Sequence, residues 1–253
     1  MDMVRYLLLG CVQGLTEFLP ISSSAHLLLL QNWIGLSEPP PLLVAVLHLG
    51  TLLAILVFFQ RDIRWLFSAL RPNGWEARRY LGLLIVGLIP IIVLALIFRS
   101  TLTRIFSFPR VAAGLLLVNS LLLFFSDRLK DGKKSFPSLP SAFFIGLGQA
   151  ASVLPGISRS GATVFLGVLS GLTRTEAFRF SFLLGIPTFV GAAIFSGLSA
   201  APENIGGLAV GAISAFIFGL FALWIFRHLF SRRRLWPFAL YCLLLGIAGL
   251  AGS

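Results

Sequence analysis

The chain has 253 residues, 57% of them hydrophobic and 11% charged, and its mean hydropathy is +0.95. Soluble domains are not composed this way, whereas a protein that crosses a membrane several times is. The formal net charge of +11 raises nucleic acid as a partner, but the basic residues lie between apolar runs with no aromatic–basic stripe on which bases could stack. They read as an orientation signal, and membrane lipids rather than nucleic acid are the expected surroundings.

In chain order, the N-terminal MDMVRYLLLGCVQGLTEFLP has the look of a signal peptide, but Gln13 and Glu17 interrupt it and no small-x-small cleavage site follows, so it is expected to belong to the mature protein. The stretch 3–36 is too long for a simple span, ~50 Å as one helix, and FLPISSS breaks it near its middle. Apolar spans follow at 42–60, 80–98 and 110–126. A polar linker, 127–138, leads to a second long stretch, 139–172, broken by LPGISRSG. Three more spans follow at 176–198, 205–226 and 235–252. Proline removes a backbone donor and turns the preceding residue away from helix, so each broken stretch is expected to be a helix–turn–helix hairpin reaching part-way across. Cys11 and Cys242 lie inside apolar segments and read as small buried hydrophobes, not as a disulfide or metal pair.

Charge orients these elements. Segment 61–79 carries Arg61, Arg64, Arg71, Arg78 and Arg79. Segment 127–138 carries Arg128, Lys130, Lys133 and Lys134, and 227–234 carries Arg227, Arg232, Arg233 and Arg234. By contrast, 199–204 has no basic residue and 99–109 has Arg99 and Arg104. The positive-inside rule places the three basic segments in the cytoplasm and both termini outside. The first hairpin then dips in from outside and the second from inside. The expected fold is an all-α integral membrane protein: six transmembrane helices plus two re-entrant helical hairpins in an inverted-topology repeat, with halves 1–126 and 139–253. An offset of 136 aligns Gln13 with Gln149, Thr16 with Ser152, Ile21 with Ile157, Ser22 with Ser158 and Ser24 with Ser160; Pro20 and Pro155 are out of register by one.

The tips carry the chemistry. Ser22 to Ser24 open one outgoing helix, Ser158 to Thr163 the other, and each helix N-terminus offers unpaired N–H groups and partial positive charge. Gly156 and Gly161 allow close approach, and Arg159 brings a planar fork of donors suited to phosphate. Capping accounts for some of the hydroxyls but not for Arg159, whose charge inside a membrane costs at least ~2.5–3.5 kcal/mol on insertion scales. Gln13 and Glu17, four apart, share a helix face. Glu17 reads either as a structural partner of Arg159 or as a metal ligand or general base with Gln13 beside it. His26 is either a core residue or a group that orients a hydroxyl nucleophile or donates a proton. His48 lines the cavity or packs, His228 belongs to the surface, and TRTE (173–176) with Arg179 has the form of a structural capping box.

QGLTEFLPISSSAHL resembles the first signature of the undecaprenyl-pyrophosphate phosphatases, the bacitracin-resistance family: (E/Q)-x-x-x-E, a Ser/Thr cluster, then His. PGISRSGAT resembles the second, P-G-x-S-R-S-x-x-T, and RFSFLLGIP (179–187) is similar to the helix that follows. The resemblance covers essentially the whole chain. It implies a bacterial cytoplasmic-membrane enzyme that hydrolyses a polyprenyl (undecaprenyl) diphosphate to the monophosphate and inorganic phosphate at the outer face, recycling the lipid carrier for cell-wall synthesis. It also implies a divalent cation, Mg2+ or Ca2+, at Gln13 and Glu17. Carried over by motif, Glu17, Ser23, His26 and Arg159 are catalytic, and Gln13, Ser22, Ser24, Ser158, Ser160 and Thr163 bind substrate. Ser23 is the first choice of nucleophile, then Ser22, then a metal-activated water. Gln13 departs from the glutamate of many members, which removes one negative charge from the metal site. The competing expectation is a transporter or flippase for a polyprenyl phosphate or another anion, whose architecture also uses inverted repeats with broken helices. A homodimer is compatible with either.

Overall fold

The computed structural model describes residues 3–34, 40–97, 108–197 and 204–252. The connections 99–109 and 199–204, expected outside the membrane, lie almost wholly beyond them. Among the described residues eleven α-helices follow one another: α1 (Met3–Phe18), α2 (Ser23–Ile34), α3 (Pro41–Phe58), α4 (Gln60–Phe67, continued by a 3-10 turn Ser68–Leu70), α5 (Trp75–Ile97), α6 (Pro109–Arg128), α7 (Leu139–Ala151), α8 (Arg159–Leu169), α9 (Arg174–Gly197), α10 (Ile205–Ser231) and α11 (Trp236–Ala251). Among the described residues there is no strand, only an isolated bridge between Lys134 and Leu172.

Helices α3, α5, α6, α9 and α10 are long and apolar enough to cross a membrane. The expected sixth span is α11, whose 16 residues reach about 24 Å at 1.5 Å per residue, short of the ~30 Å of a hydrocarbon core. Both long stretches break where proline and glycine interrupt them, α1/α2 at 19–22 and α7/α8 at 152–158. Side chains start several helices: Ser138 accepts from Ser141 N, Ser158 from Gly161 N and Asn204 from Gly207 N, each satisfying an orphan donor of a first turn. Segment 61–79 is more than a basic connection, since it contains α4.

Small residues set the packing. Gly10 and Gly14 of α1 meet Gly211, Ala215 and Gly219 of α10 so closely that a Cβ on Gly10 would collide with the Gly211 carbonyl oxygen. Likewise, a Cβ on Gly146 of α7 would collide with the Gly87 carbonyl oxygen of α5. Backbones approach this closely in membranes because packing, not water exclusion, holds helices together there. Helix α3 packs on α9 and α6 on α11. An aromatic core joins α1 and α9, with Phe178 and Phe182 4.6 Å apart by ring centroid and Phe18 and Phe189 5.9 Å. Large apolar side chains such as Ile85, Leu96 and Ile217 face outward, as they do in a protein surrounded by lipid.

The TRTE set is structural, with one change. Thr173 accepts from Glu176 N at 3.2 Å, but the Glu176 carboxylate turns to the Tyr80 hydroxyl (2.6 Å) and Arg179 (3.6 Å) instead of back to the cap.

Candidate active site

The two helix breaks meet. Ser22 Oγ accepts from Gly156 N at 3.1 Å. Asn119, a fully buried amide of α6, straps both tips: its Nδ2 donates to Pro20 O at 2.9 Å and its Oδ1 accepts from Ser158 N at 3.0 Å. Ser22 has φ +64 and Gly156 φ +113, so a serine occupies the left-handed region in the first tip where glycine does so in the second. Ser22 is held there from its carbonyl side. His26 Nδ1 lies 2.7 Å from Ser22 O, and because a carbonyl only accepts, Nδ1 carries the proton. His26 Nε2 is then the acceptor from the Tyr241 hydroxyl at 2.6 Å, and the two rings stack with centroids 5.4 Å apart.

A cavity of about 360 Å³ opens at the junction. Of the residues expected from sequence, Glu17, Ser22, Ser23, Ser24, Ser158 and Arg159 line it; His48, Ser152, Val153 and Thr188 line it as well. Glu17 is the only carboxylate among its described lining residues. Oε2 accepts from Gln13 Nε2 at 3.0 Å and from Ser23 Oγ at 3.3 Å, while Oε1 lies 3.8 Å from Arg159 Nη2. That last separation is an ion pair, too long for a hydrogen bond. Arg159 Nη2 is buried and has no hydrogen-bond partner among the described residues. The guanidinium sits 3.9 Å over the Phe189 ring. Gly185 leaves room for it, since a Cβ there would collide with Nη1. A buried guanidinium with unmatched donors, stacked on an aromatic face beside two helix N-termini, is built for a planar or tetrahedral anion.

Four expected residues lie off the cavity wall. Gln13 supports Glu17 from behind. Thr163 Oγ1 donates to Arg159 O at 2.7 Å, and Ser160 Oγ shares a hydrogen bond with Ser158 Oγ at 3.1 Å; both hold the first turn of α8. His26 does not meet Ser23: both its ring nitrogens are engaged, by Ser22 O and by Tyr241. In this arrangement Glu17, not His26, accepts from the Ser23 hydroxyl. Sequence reading missed Asn119, Gly185 and Tyr241. The buried amide of Asn119 within LLLVNSLLL was the one legible signal, because a polar group at that depth needs partners.

No group of three His, Cys, Asp or Glu that could hold a metal occurs among the described residues. The oxygens of Glu17, Gln13 and Ser23 suit a hard divalent cation that also draws ligands from a phosphate, so the donor set fits a cation arriving with substrate better than a resident one.

The family model described as bacitracin resistance protein BacA matches residues 6–248. The chain is 39% identical to an undecaprenyl-diphosphatase of Syntrophotalea carbinolica over 97% of each chain. It is 40% identical to one of Christiangramia forsetii over 99% of this chain and 98% of that one, and 35% identical to one of Methanobrevibacter smithii over 100% and 98%. With both signatures meeting at one cavity and the match running nearly end to end, the chain belongs to the BacA bacitracin-resistance family.

Proposed function

We propose that the protein is an undecaprenyl-diphosphatase, a membrane hydrolase that cleaves the terminal anhydride bond of a polyprenyl diphosphate to give the lipid monophosphate and inorganic phosphate. The observation that carries the reading is the Ser23–Glu17–Arg159 constellation: a hydroxyl donating to a carboxylate, beside a buried guanidinium with unmatched donors. The relatives' activity points the same way. Arg159 and the N-terminus of α8 hold the terminal phosphate and offset the charge that develops on it. Glu17 takes the proton of the attacking oxygen, whether of Ser23 or of a water bound in its place. Glu17 and Gln13 would hold a divalent cation, which would supply further neutralisation of phosphate charge.

For the architecture, we read the two halves as an inverted repeat with re-entrant hairpins. Exchange of the halves turns the α1–α10 pair into α7–α5 and returns the α3–α9 and α6–α11 pairs to themselves. Gly10 and Gly146, each packed on a glycine of the partner helix, are separated by 136, the offset that aligns the tips. With the basic segments in the cytoplasm, the termini lie outside and the cavity is reached from the outer face of the cytoplasmic membrane. All the named groups come from one chain, so the reading requires no second copy.

A carrier without hydrolysis needs only the cationic tip and leaves the Ser23–Glu17 hydrogen bond without a use. Phosphate release from a C55 diphosphate by the purified protein, with and without EDTA, tests the proposal. Release that falls on chelation is expected, and tight binding with no release would establish the carrier reading instead.

A further inference from the structure

A second cavity, of about 180 Å³, lies at the other end of α3 and α9. From His48 to Phe58 is ten residues of α3, about 15 Å of helix, and the aromatic core around Phe178 and Phe182 separates the two cavities. Three arginines line the second one: Arg174 and Arg179 from α9 and Arg227 from α10. Arg179 is matched, with Asp62 at 2.7 Å and Glu176 at 3.6 Å. Arg174 and Arg227 are not, having no carboxylate within 4.0 Å of their side chains among the described residues. Arg174 is 3% exposed. Its Nη atoms are fixed by the carbonyls of Phe230, Ser126 and Leu129, and its Nε is buried with no partner. Carbonyls orient a guanidinium but do not cancel its charge; Asp62, the carboxylate among the described lining residues, is engaged by Arg179, and Asp127 and Asp131 act on the Arg174 guanidinium only from beyond ion-pair distance, so the wall keeps a net positive charge that favours an anion there.

The surroundings say where that anion comes from. Phe67, Leu70 and Trp75, around the end of α4, are 66%, 86% and 58% exposed, an apolar–aromatic belt of the kind that sits at headgroup level. The cavity also continues sideways. A neighbouring hollow of about 260 Å³ shares Phe58, Arg227 and Ser231 with it and ends on Trp224 and His228. Trp224 is exposed and stacks between Phe221 and His228, which gives an apolar shelf at the mouth of a cationic cavity. We propose that this cavity binds the phosphate of an anionic lipid headgroup, from the leaflet that faces the basic end of the molecule, with the lipid's glycerol and chains leaving over Trp224. It is a site separate from the catalytic cavity and fastens the α4–α9–α10 corner.

The test is thermal unfolding of the full-length protein in a neutral detergent, without substrate, with short-chain phosphatidylglycerol, short-chain phosphatidylcholine or inorganic phosphate added. Phosphatidylglycerol is expected to raise Tm by about 2–4 °C, and the other two by much less. Arg227 is exposed, so Arg227→Glu is expected to fold with its basal Tm and lose the shift, while Arg227→Lys retains most of it. Arg159→Lys should keep the shift in full, which separates this site from the catalytic one. An equal shift with phosphatidylcholine, a full shift with inorganic phosphate alone, or an undiminished shift in Arg227→Glu would each overturn the lipid assignment. None of these outcomes bears on phosphate release from the diphosphate.

Discussion

The two tips align at an offset of 136, yet they contribute opposite charges. Thr16 and Ser152 correspond, as do Ser22 and Ser158, and all four line the same cavity. Where the first tip has Glu17 the second has Val153, and where the second has Arg159 the first has Ser23; these four line the cavity too. The first tip therefore brings the carboxylate and the candidate attacking hydroxyl, and the second brings the cation. The backbone differs in the same sense. The second tip uses Gly156 for its positive φ, which leaves Ser158 free to cap α8. The first tip uses Ser22, held in the left-handed region through His26 and Tyr241, and turns its Oγ across to Gly156 N. Two similar breaks thus bring two helix ends to one point, and the charged groups come from the positions where the two tips differ in sequence.

Removing the acidic member of this pair is expected to have the largest effect. Glu17→Gln eliminates the base and the counter-ion of Arg159 together, and turnover of a C55 diphosphate should fall by ~10²–10⁴-fold. A loss below tenfold would mean that the carboxylate is only a structural partner for Arg159. Arg159→Lys keeps the charge but removes the fork. With the protein still monodisperse in detergent, kcat should drop by ~10²–10³-fold, and near-normal kcat would take the guanidinium out of the site.

Ser23→Ala sharpens the assignment within the first tip. Loss of one charge-assisted hydrogen bond, ~1.5–3 kcal/mol, corresponds to roughly 10- to 150-fold, the result expected if a water attacks. Loss of several orders of magnitude beyond that identifies Ser23 as the nucleophile, whereas a variant keeping a tenth of wild-type turnover has no covalent serine step. The smallest effect is expected from Tyr241→Phe, which keeps the stack on His26 and removes one hydrogen bond, ~0.5–1.5 kcal/mol. Turnover should fall about 2- to 12-fold with KM little changed, because the pair positions Ser22 without touching phosphate. A rise in KM with kcat intact would place His26 at the substrate instead.

Both helix breaks were legible in the sequence, because Pro20 next to a run of serines and Pro155 next to Gly156 cluster helix-breaking residues locally, whereas the lone Pro90 and Pro187 stay inside α5 and α9. So was the cationic character of the second tip, since no bland role accounts for a charge as deep as that of Arg159. The direction of His26 was not legible. Three residues after Ser23 on one helix, it could have faced the hydroxyl, but a tyrosine 215 residues away in sequence holds it elsewhere. The short reach of α11 and the helical nature of Gln60–Phe67 were likewise hidden, the first in a hydropathy run longer than its helix and the second in a segment read for its charge alone.

The sequence by itself determined the class of the protein, the number and place of the broken segments and the residue types at their tips, because hydropathy, proline and charge act through the nearest few residues and the surrounding solvent. Only the tertiary structure decided which of those residues share a cavity, that Glu17 rather than His26 receives the Ser23 hydroxyl, and that Gly185 and Phe189 make the seat for Arg159. Those outcomes depend on close approach between helices far apart in sequence: glycines four apart, such as Gly10 and Gly14, mark a face that can pack closely but not which helix it meets.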